Sequence, residues 1–197
     1  MSALLALPLA VFGQAADTLY NNKVITNAQM IGVGAADILD TYLSPEEYSG
    51  TEIRYISHTI RRRENRRWSR MLVHQGSLAF ADNRSGNGNE IAGMYTFTYG
   101  VHCNWSFLGG SLNVAAGGQA DLDVGFLYNT RNGNNPAQAR LALNVGPSAA
   151  ASYRFRLGRV PLSACYEVSA PLFGVMFSPN YGQSYYEIFS RGDYDHN

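Results

Sequence analysis

The sequence predicts an all-β protein, an antiparallel transmembrane up-and-down β-barrel, from three observations. Apolar and polar residues alternate with a period of two, over some seventeen residues in the clearest segment. Short and long connections alternate between the segments that show this pattern. No run of eighteen apolar residues is present that could form a transmembrane helix. With 197 residues, a single domain is the default expectation.

The N-terminal segment, residues 1–15, has the pattern of a secretory signal peptide. Residues 3–11 form a short apolar core, and residues 13–15 (Gly-Gln-Ala) supply small side chains at a cleavage site. We therefore expect residues 1–15 to be removed on export. Residues 16–197 are then expected to form the barrel domain in a bacterial outer membrane.

Seven strands are predicted in order along the remaining chain. Each is an alternating or apolar segment that ends at a cluster of turn-forming or charged residues. The predicted strands cover about 23–36, 51–62, 68–82, 90–107, 111–128, 137–156 and 160–177.

The strand at 90–107 shows the alternation most clearly. One parity is apolar and the other is small or polar: Tyr95, Phe97, Tyr99, Val101 and Trp105 alternate with Thr96, Thr98, Gly100, His102 and Asn104. A soluble exported barrel would turn the apolar parity inward around an apolar ligand, whereas a membrane barrel turns it outward to lipid. Length favours the membrane barrel, because ordinary strands average about 5–6 residues and membrane-spanning strands need about 9–11.

Aromatic residues near the ends of the apolar parity suggest girdles at two membrane interfaces. They are Tyr95, Trp105, Phe107, Phe126, Tyr128, Tyr153 and Phe155.

The connections predict the topology. They are short at 63–67, 108–110 and 157–159, and long at 83–89, 130–136 and from 178 onward. Outer-membrane barrels have short periplasmic turns, long external loops and an even strand number. Seven visible strands would leave the chain ending outside with two unpaired edges, so we expect a C-terminally truncated barrel of 8–12 strands.

Several motifs resemble those of a known family. They are MIGVG (30–34), DTYLSPEEYSGTE (40–52), NRSGNGN (83–89), YNTRNGNNPAQA (128–139) and PLFGVMFSPNYGQSYYEIF (171–189). The sequence resembles a family of Bacteroides-type outer-membrane proteins that is known only as a domain of unknown function. The resemblance implies an outer-membrane barrel that continues beyond residue 197, and it implies no activity and no catalytic residues.

The three long loops have a common composition of amides, arginine and aromatic rings. In the predicted topology they meet at the external mouth, where such side chains suit sugar or lipopolysaccharide binding. Asn and Gly are also ordinary turn formers, so a purely structural role is the alternative. The candidate ligand-binding residues are Asn83, Arg84, Asn87, Arg131, Asn132, Asn134, Tyr185 and Tyr186.

The inward parity carries charged residues, namely Asp121, Asp123, Arg140, Arg154 and Glu167. These could form a cross-lumen ion-pair network or line a polar pore. A barrel of ten or fewer strands rarely encloses a wide channel, so a narrow, plugged lumen is expected.

We expect no enzymatic activity, no metal and no cofactor. His102, Asn104 and Ser106 share one strand face and have the residue types of a phospholipase site. They face the predicted lumen rather than lipid, so a row of lumen-lining polar residues is the preferred interpretation. A membrane-embedded lipid-modifying enzyme is the rival hypothesis.

The charge pattern predicts lipid partners rather than nucleic acid. Fifteen basic and fifteen acidic residues cancel, and six arginines fall within residues 61–70. Arginine can snorkel and bind phosphate bidentately, so this stretch is expected to contact lipid phosphates. The expected partners are outer-membrane lipids, lipopolysaccharide and, during biogenesis, the barrel-assembly machinery, whereas the sequence leaves the oligomeric state open.

Overall fold

A computed structural model describes residues 7–20 (backbone only), 23–40, 42–64, 66–133 and 136–177. These residues form one antiparallel sheet in which the first eight strands follow one another in sequence order and the ninth pairs with the seventh. The strands are β1 Leu7–Tyr20, β2 Lys23–Leu39, β3 Glu47–Arg63, β4 Trp68–Asn83, β5 Asn89–Phe107, β6 Leu112–Asn129, β7 Ala137–Leu157, β8 Val160–Ser169 and β9 Phe173–Phe177.

The all-β antiparallel prediction is confirmed, and β2 to β7 lie within four residues of their predicted bounds. The sheet is not closed, since no pairing joins β1 to β8 or β9 among the described residues. We call the end with the β2–β3, β4–β5 and β6–β7 connections the loop end. The opposite end, with the β3–β4, β5–β6 and β7–β8 connections, is the turn end.

Two features depart from the seven predicted strands. The first is β1, which includes residues 7–15 of the predicted signal peptide and pairs along its length with β2. Apolar residues suit both a leader and a strand, so the sequence pattern did not indicate this strand. The removal of residues 1–15 stays a prediction.

The second departure is an interruption in the last predicted strand, 160–177. It is split into β8 and β9, and both parts pair with β7. Three residues, 170–172, lie opposite Gly146 and Pro147, which makes a bulge with one extra residue. Pro147 and Pro171 have no N–H to donate to a ladder, and proline within sheets is confined to edges and bulges.

The two faces of the sheet differ in polarity. The convex face exposes large apolar side chains on every strand from β2 to β9, among them Ile53 at 52%, Phe80 at 54% and Leu143 at 48%. The concave face buries polar and charged side chains, including Glu52, Glu90, His102 and Ser148. The predicted alternation is therefore confirmed, with the apolar parity outward.

The sheet is curved, and neighbouring strands pack closely where glycines face its concave side. A Cβ atom added to Gly117 of β6 would overlap the carbonyl oxygen of Val101 on β5. Glycines at such positions let a sheet bend sharply, because neighbouring backbones can approach more closely.

A contact across the concave face shows that the strands are staggered. Directly paired residues on successive strands form a row across the sheet, and the row that starts at His58 of β3 ends at Gly174 in β9. The side chain of His58 instead meets Glu167 of β8, at 3.2 Å between Nε2 and Oε2. On β7 the residues paired with Glu167 and Gly174 are Ala150 and Asn144, so the contact is displaced by six positions of the register toward the turn end.

A second contact across the concave face, between Arg140 and Asp40, is displaced in the same direction. The row that contains Arg140 of β7 reaches Gly32 in β2. Arg140 instead bonds Asp40, which follows β2, eight residues from Gly32 toward the loop end. Both contacts span five strand steps, so the sheet coils with a consistent stagger.

The apolar core lies at the loop end, where the β2–β3 connection folds over the concave face. Its buried residues are Ala36, Ile38, Tyr42, Leu43, Tyr48, Ala79, Ala81 and Leu127. Within the described ranges, no helix is long and apolar enough to cross a membrane.

Candidate functional site

A buried ion pair anchors the polar cluster at the loop end. Arg140 donates to Oδ2 of Asp40 at 2.8 Å, and Asp40 is only 4% exposed. The backbone N–H of Tyr42 donates to the other oxygen, Oδ1, at 2.9 Å. The amide of Gln138, oriented to donate, meets the same carboxylate. This cluster joins the end of β2 to β7, on the opposite side of the concave face.

Asn83, one of the predicted ligand-binding residues, organises the β4–β5 loop. Its Nδ2 donates to Glu46 at 2.7 Å and to Oδ1 of Asn87 at 2.9 Å. Its Oδ1 accepts the backbone N–H groups of Asn87 and Gly88. The amide of Asn83 is therefore engaged by protein partners on both its oxygen and its nitrogen.

The β6–β7 loop bonds to the same segment. Arg131 forms an ion pair with Glu46 at 3.1 Å, and the amide of Asn132 donates to the carbonyl oxygen of Leu43 at 2.9 Å. Asn129 holds this loop, because its Oδ1 accepts the backbone N–H groups of both Arg131 and Asn132. The two loops thus fasten residues 43–46 across the loop end.

The structure brings together four of the predicted loop residues, Asn83, Asn87, Arg131 and Asn132, and each has a protein partner. Arg84 is exposed beside an open hollow lined by Glu46, Glu47, Ser49, Asp82, Asn83 and Ser85. Asn134, Tyr185 and Tyr186 lie outside the described residues. A ligand-binding role for this set stays a prediction.

Glu90 is a carboxyl that the sequence analysis did not single out. It is fully buried at the loop end of β5, one row of paired residues beyond the exposed Phe80 and Tyr128 of the convex face. Asn129 donates to Oε2 at 3.1 Å, and Oε1 has no partner among the described residues. Burial raises the pKa of Glu90 to about 7, with the hydrogen bond from Asn129 opposing this shift and the charge of Asp40 adding to it.

The two predicted lumen aspartates bind neutral partners. Asp121 accepts a hydrogen bond from Thr98 at 2.6 Å, and Asp123 accepts one from Thr96 at 2.6 Å. Asn144 also donates to Asp123, at 3.2 Å. In the described part of the chain neither aspartate forms an ion pair.

The other three predicted lumen residues bind groups that the sequence did not indicate. Arg140 pairs with Asp40, and Glu167 pairs with His58. Arg154 donates to the carbonyl oxygen of Gly110, in the β5–β6 turn, at 2.8 Å. One ion pair, Arg140–Asp40, and one histidine–carboxylate contact, His58–Glu167, therefore cross the concave face, and each has one partner outside the predicted set.

A histidine–serine contact lies nearer the turn end of the concave face. Nε2 of His102 on β5 is 2.6 Å from Oγ of Ser148 on β7, and both residues are buried. Gly117 of β6 stands between them in the same row. An added Cβ at Gly100 would lie 2.7 Å from Cε1 of His102. The two glycines leave room for the imidazole to reach across β6.

The residues that the sequence grouped with His102 have other roles. Asn104 donates to Oγ of Ser69 at 2.9 Å and to the carbonyl oxygen of Arg67 at 2.7 Å, and Ser106 is exposed. Ser148 shares the inward parity of β7, but only the register of three strands identifies it as the partner. No group of three or more His, Cys, Asp or Glu residues in the described ranges is arranged to hold a metal ion.

Comparison with known proteins gives a family and no activity. No curated protein and no solved structure matches the chain. The expected resemblance to a domain of unknown function is confirmed. A family model described as a protein of unknown function matches residues 2–197, and the chain therefore belongs to the DUF3316 family.

Proposed function

We propose that this chain is an integral protein of the bacterial outer membrane, with strands that cross the bilayer and a polar concave face that lines a narrow interior. Its role in this proposal is non-enzymatic: structural, a narrow pore or surface binding. The resemblance noted in the sequence adds the expectation of a Bacteroides-type bacterium. Outer-membrane lipids and lipopolysaccharide are the proposed partners in the bilayer, and the barrel-assembly machinery is the proposed partner during biogenesis.

The proposal rests on the polarity of the two faces, which is the opposite of that expected for a sheet in water. A β-sheet in water buries its apolar face and exposes its polar face. Here the exposed convex face carries Leu78, Val124 and Leu141, whereas the concave face buries Glu52 and Glu90. Contiguous exposed apolar surface of this kind is unusual for a soluble monomer and suits contact with lipid.

The distribution of exposed aromatic residues supports two interfaces. Most of the exposed aromatic residues on the convex face fall into two groups: Phe80, Phe126 and Tyr128 toward the loop end, and Trp68, Trp105, Phe107, Tyr153 and Phe155 toward the turn end. Tyr95, which was predicted for a girdle, lies between the two groups in the register, as do Tyr55 and Tyr99. Aromatic girdles flank the apolar band in outer-membrane barrels. Strands β2 to β7, with 16 to 21 residues each, are longer than a bilayer crossing requires.

The stagger of the cross-face contacts supports a coiled, barrel-like sheet. A displacement of six register positions is about 20 Å along the strands, and five strand steps are about 24 Å across them. The ratio corresponds to a strand tilt of about 40°, and barrels have tilts of about 35–45°. The contact between Asp40 and Arg140, displaced by eight residues or about 26 Å, corresponds to a tilt of about 48°.

The polar network at the loop end favours a narrow interior over an open pore. Residues 43–46 cross this end and are held by Asn83, Arg131 and Asn132. An interior that is closed at one end by fixed hydrogen bonds suits a structural role or the passage of small solutes.

Membrane fractionation of the full-length protein tests the proposal. We expect recovery in the outer membrane, extraction only by detergent, and a gel mobility that changes after boiling. Recovery of the native protein in the soluble periplasm would overturn the proposal and favour a soluble barrel with an apolar ligand.

Two leucine variants test specifically whether the convex face contacts lipid. In lipid, Leu143→Arg is expected to lower the free energy of unfolding by about 2–4 kcal/mol, since arginine near the bilayer midplane has that cost. Leu157→Arg is the control, because Leu157 is 71% exposed at the turn end of the same strand. Equal, small effects of both substitutions would indicate that the convex face contacts water.

A second candidate function is favoured by the contact between His102 and Ser148. Nε2 of the histidine could take the serine proton while Oγ attacks an ester carbonyl, and return that proton to the alcohol that leaves as the ester C–O bond breaks. Water would then hydrolyse the acyl-serine, which releases the carboxylic acid and restores the serine hydroxyl. In this hypothesis the chain is a lipid-modifying hydrolase.

Lipase assays test this second candidate. Ser148→Ala and His102→Ala should abolish any hydrolysis, whereas Ser152→Ala, on the same strand face, should retain it. Absence of hydrolysis by the wild type, or its persistence in Ser148→Ala, would eliminate the hypothesis.

A further inference from the structure

The turn end carries a cluster of arginines on and beside the convex face, here called the arginine patch. It consists of Arg61, Arg63, Arg66, Arg67 and Arg70, all of which are exposed. Arg61 and Arg63 share the parity of the outward residues Ile53 and Tyr55 on β3. Basic groups therefore border, and partly enter, the exposed apolar surface.

The register places two of these arginines directly opposite each other. Arg61 of β3 pairs with Arg70 of β4, and the same row continues to Ile25 on one side and Val101 on the other. Like charges at directly opposed positions of a sheet are destabilising. The pair thus has two guanidinium groups side by side between apolar neighbours.

Nothing in the described part of the chain neutralises the patch by an ion pair. The three arginine ion pairs found there involve Arg54, Arg131 and Arg140, and none involves a residue of the patch. Glu64 lies in the adjoining turn and is itself exposed. An external anion would relieve the repulsion between Arg61 and Arg70.

The surroundings indicate what kind of anion fits. Trp68 is 60% exposed beside the patch, and tryptophan favours the boundary between lipid headgroups and acyl chains. Arginine stems can lie along apolar surface while their guanidinium groups bind phosphate oxygens bidentately. A ligand that satisfies both features has an anionic phosphate and an apolar tail.

We propose that the arginine patch binds the phosphate of an anionic glycerophospholipid, of the phosphatidylglycerol class, with its acyl chains against the convex face beside Trp68. The inference rests on the proposed function, because short turns of an outer-membrane barrel face the periplasm and so approach the phospholipid leaflet. The bridging phosphate would lie between Arg61 and Arg70.

Fluorescence quenching tests the site in the full chain. The protein has two tryptophans, so Trp105→Phe leaves Trp68 as the only indole reporter. This protein is inserted into phosphatidylcholine vesicles that contain a small share of brominated lipid, either phosphatidylglycerol or phosphatidylcholine. We expect brominated phosphatidylglycerol to quench Trp68 more strongly at equal content.

Substitutions then separate the patch from general charge effects. Arg61→Gln with Arg70→Gln should weaken the apparent phosphatidylglycerol affinity by about tenfold or more, as expected for loss of charge-assisted hydrogen bonds. The control is Arg62→Gln with Arg156→Gln, which removes the same charge. Arg62 and Arg156 have the inward parity of β3 and β7, so the control should keep the wild-type affinity.

The outcomes distinguish this inference from the proposed function. Failure to insert into vesicles would overturn both. Insertion with equal quenching by the two lipids, or with equal effects of the two double variants, would overturn the arginine site alone. Stronger quenching by brominated lipid A, or displacement of the phospholipid by inorganic phosphate, would overturn the assignment to a phospholipid.

Discussion

Charged residues at the loop end and at the turn end of the same sheet differ in burial and in their partners. At the loop end, Asp40 and Arg140 are brought together across the concave face, and Glu90 is sealed from solvent beside Asn129. At the turn end, Arg61 and Arg70 face each other while exposed. One end has internal partners for its charges, whereas the other presents its charges outward.

The two ends therefore obtain their stability from different sources. Buried polar groups must be paired within the protein, because an unpaired group loses its hydration without replacement. Exposed arginines keep their hydration and remain available for an external anion. The loop end should therefore respond strongly to substitutions in the protein, and the turn end should respond mainly to the surrounding ions and lipids.

The largest expected effect comes from breaking the ion pair at the loop end. Arg140→Met leaves the carboxylate of Asp40 buried with only neutral donors, Gln138 and the backbone of Tyr42. We expect the free energy of unfolding in detergent to fall by about 3 kcal/mol, as for other buried pairs that lose one partner. Chemical denaturation followed by tryptophan fluorescence measures the change.

Arg154→Met provides the control for this prediction. Arg154 is exposed at the turn end and donates to the carbonyl oxygen of Gly110. We expect its loss to cost no more than about 1 kcal/mol. Equal destabilisation by the two substitutions would contradict the contrast between the ends.

A smaller, pH-dependent effect is expected from Glu90. Its pKa in the folded state is about 7, above the ordinary value of 4.5, so the folded protein holds a proton that the unfolded chain releases. Stability should therefore fall as the pH rises from about 4.5 to about 7 and level off above that range, with a total change on the order of 3 kcal/mol.

Glu90→Gln should remove this fall, because the amide does not titrate. Unfolding curves of both proteins at several pH values measure the effect, and the advantage of the variant should grow across that window. Glu64→Gln, in the exposed β3–β4 turn, is the control and should leave the slope unchanged. A wild-type slope of the opposite sign would show that Glu90 is ionised in the folded protein.

The strands of this sheet are encoded locally, which explains why they could be predicted. The alternation in β5 and β6 fixes both the strand and the face of each side chain, because side-chain direction has a period of two. The interruption between β8 and β9 was missed, although Pro147 and Pro171 were its visible signals. A bulge depends on which residues face each other, and that information lies in the neighbouring strand.

The concave site was predictable only in part for the same reason. Parity placed His102 and Glu167 on the inner face, but it could not name Ser148 or His58 as their partners. Those partners depend on register and on a stagger of six to eight residues over five strand steps. Both arise from the coil of the whole sheet rather than from any one segment.

The smallest expected effect concerns the two opposed arginines at the turn end. Without anionic lipid, Arg61→Gln should raise the free energy of unfolding by up to about 0.5 kcal/mol, since it removes a like-charge pair. The gain should disappear at about 1 M salt, where the screening length is about 3 Å. Arg62→Gln, whose inward side chain lies opposite Ser69, should show no such gain. Denaturation in a zwitterionic detergent at low and high salt measures the difference, and destabilisation by Arg61→Gln at low salt would mean that a protein group already pairs with this arginine.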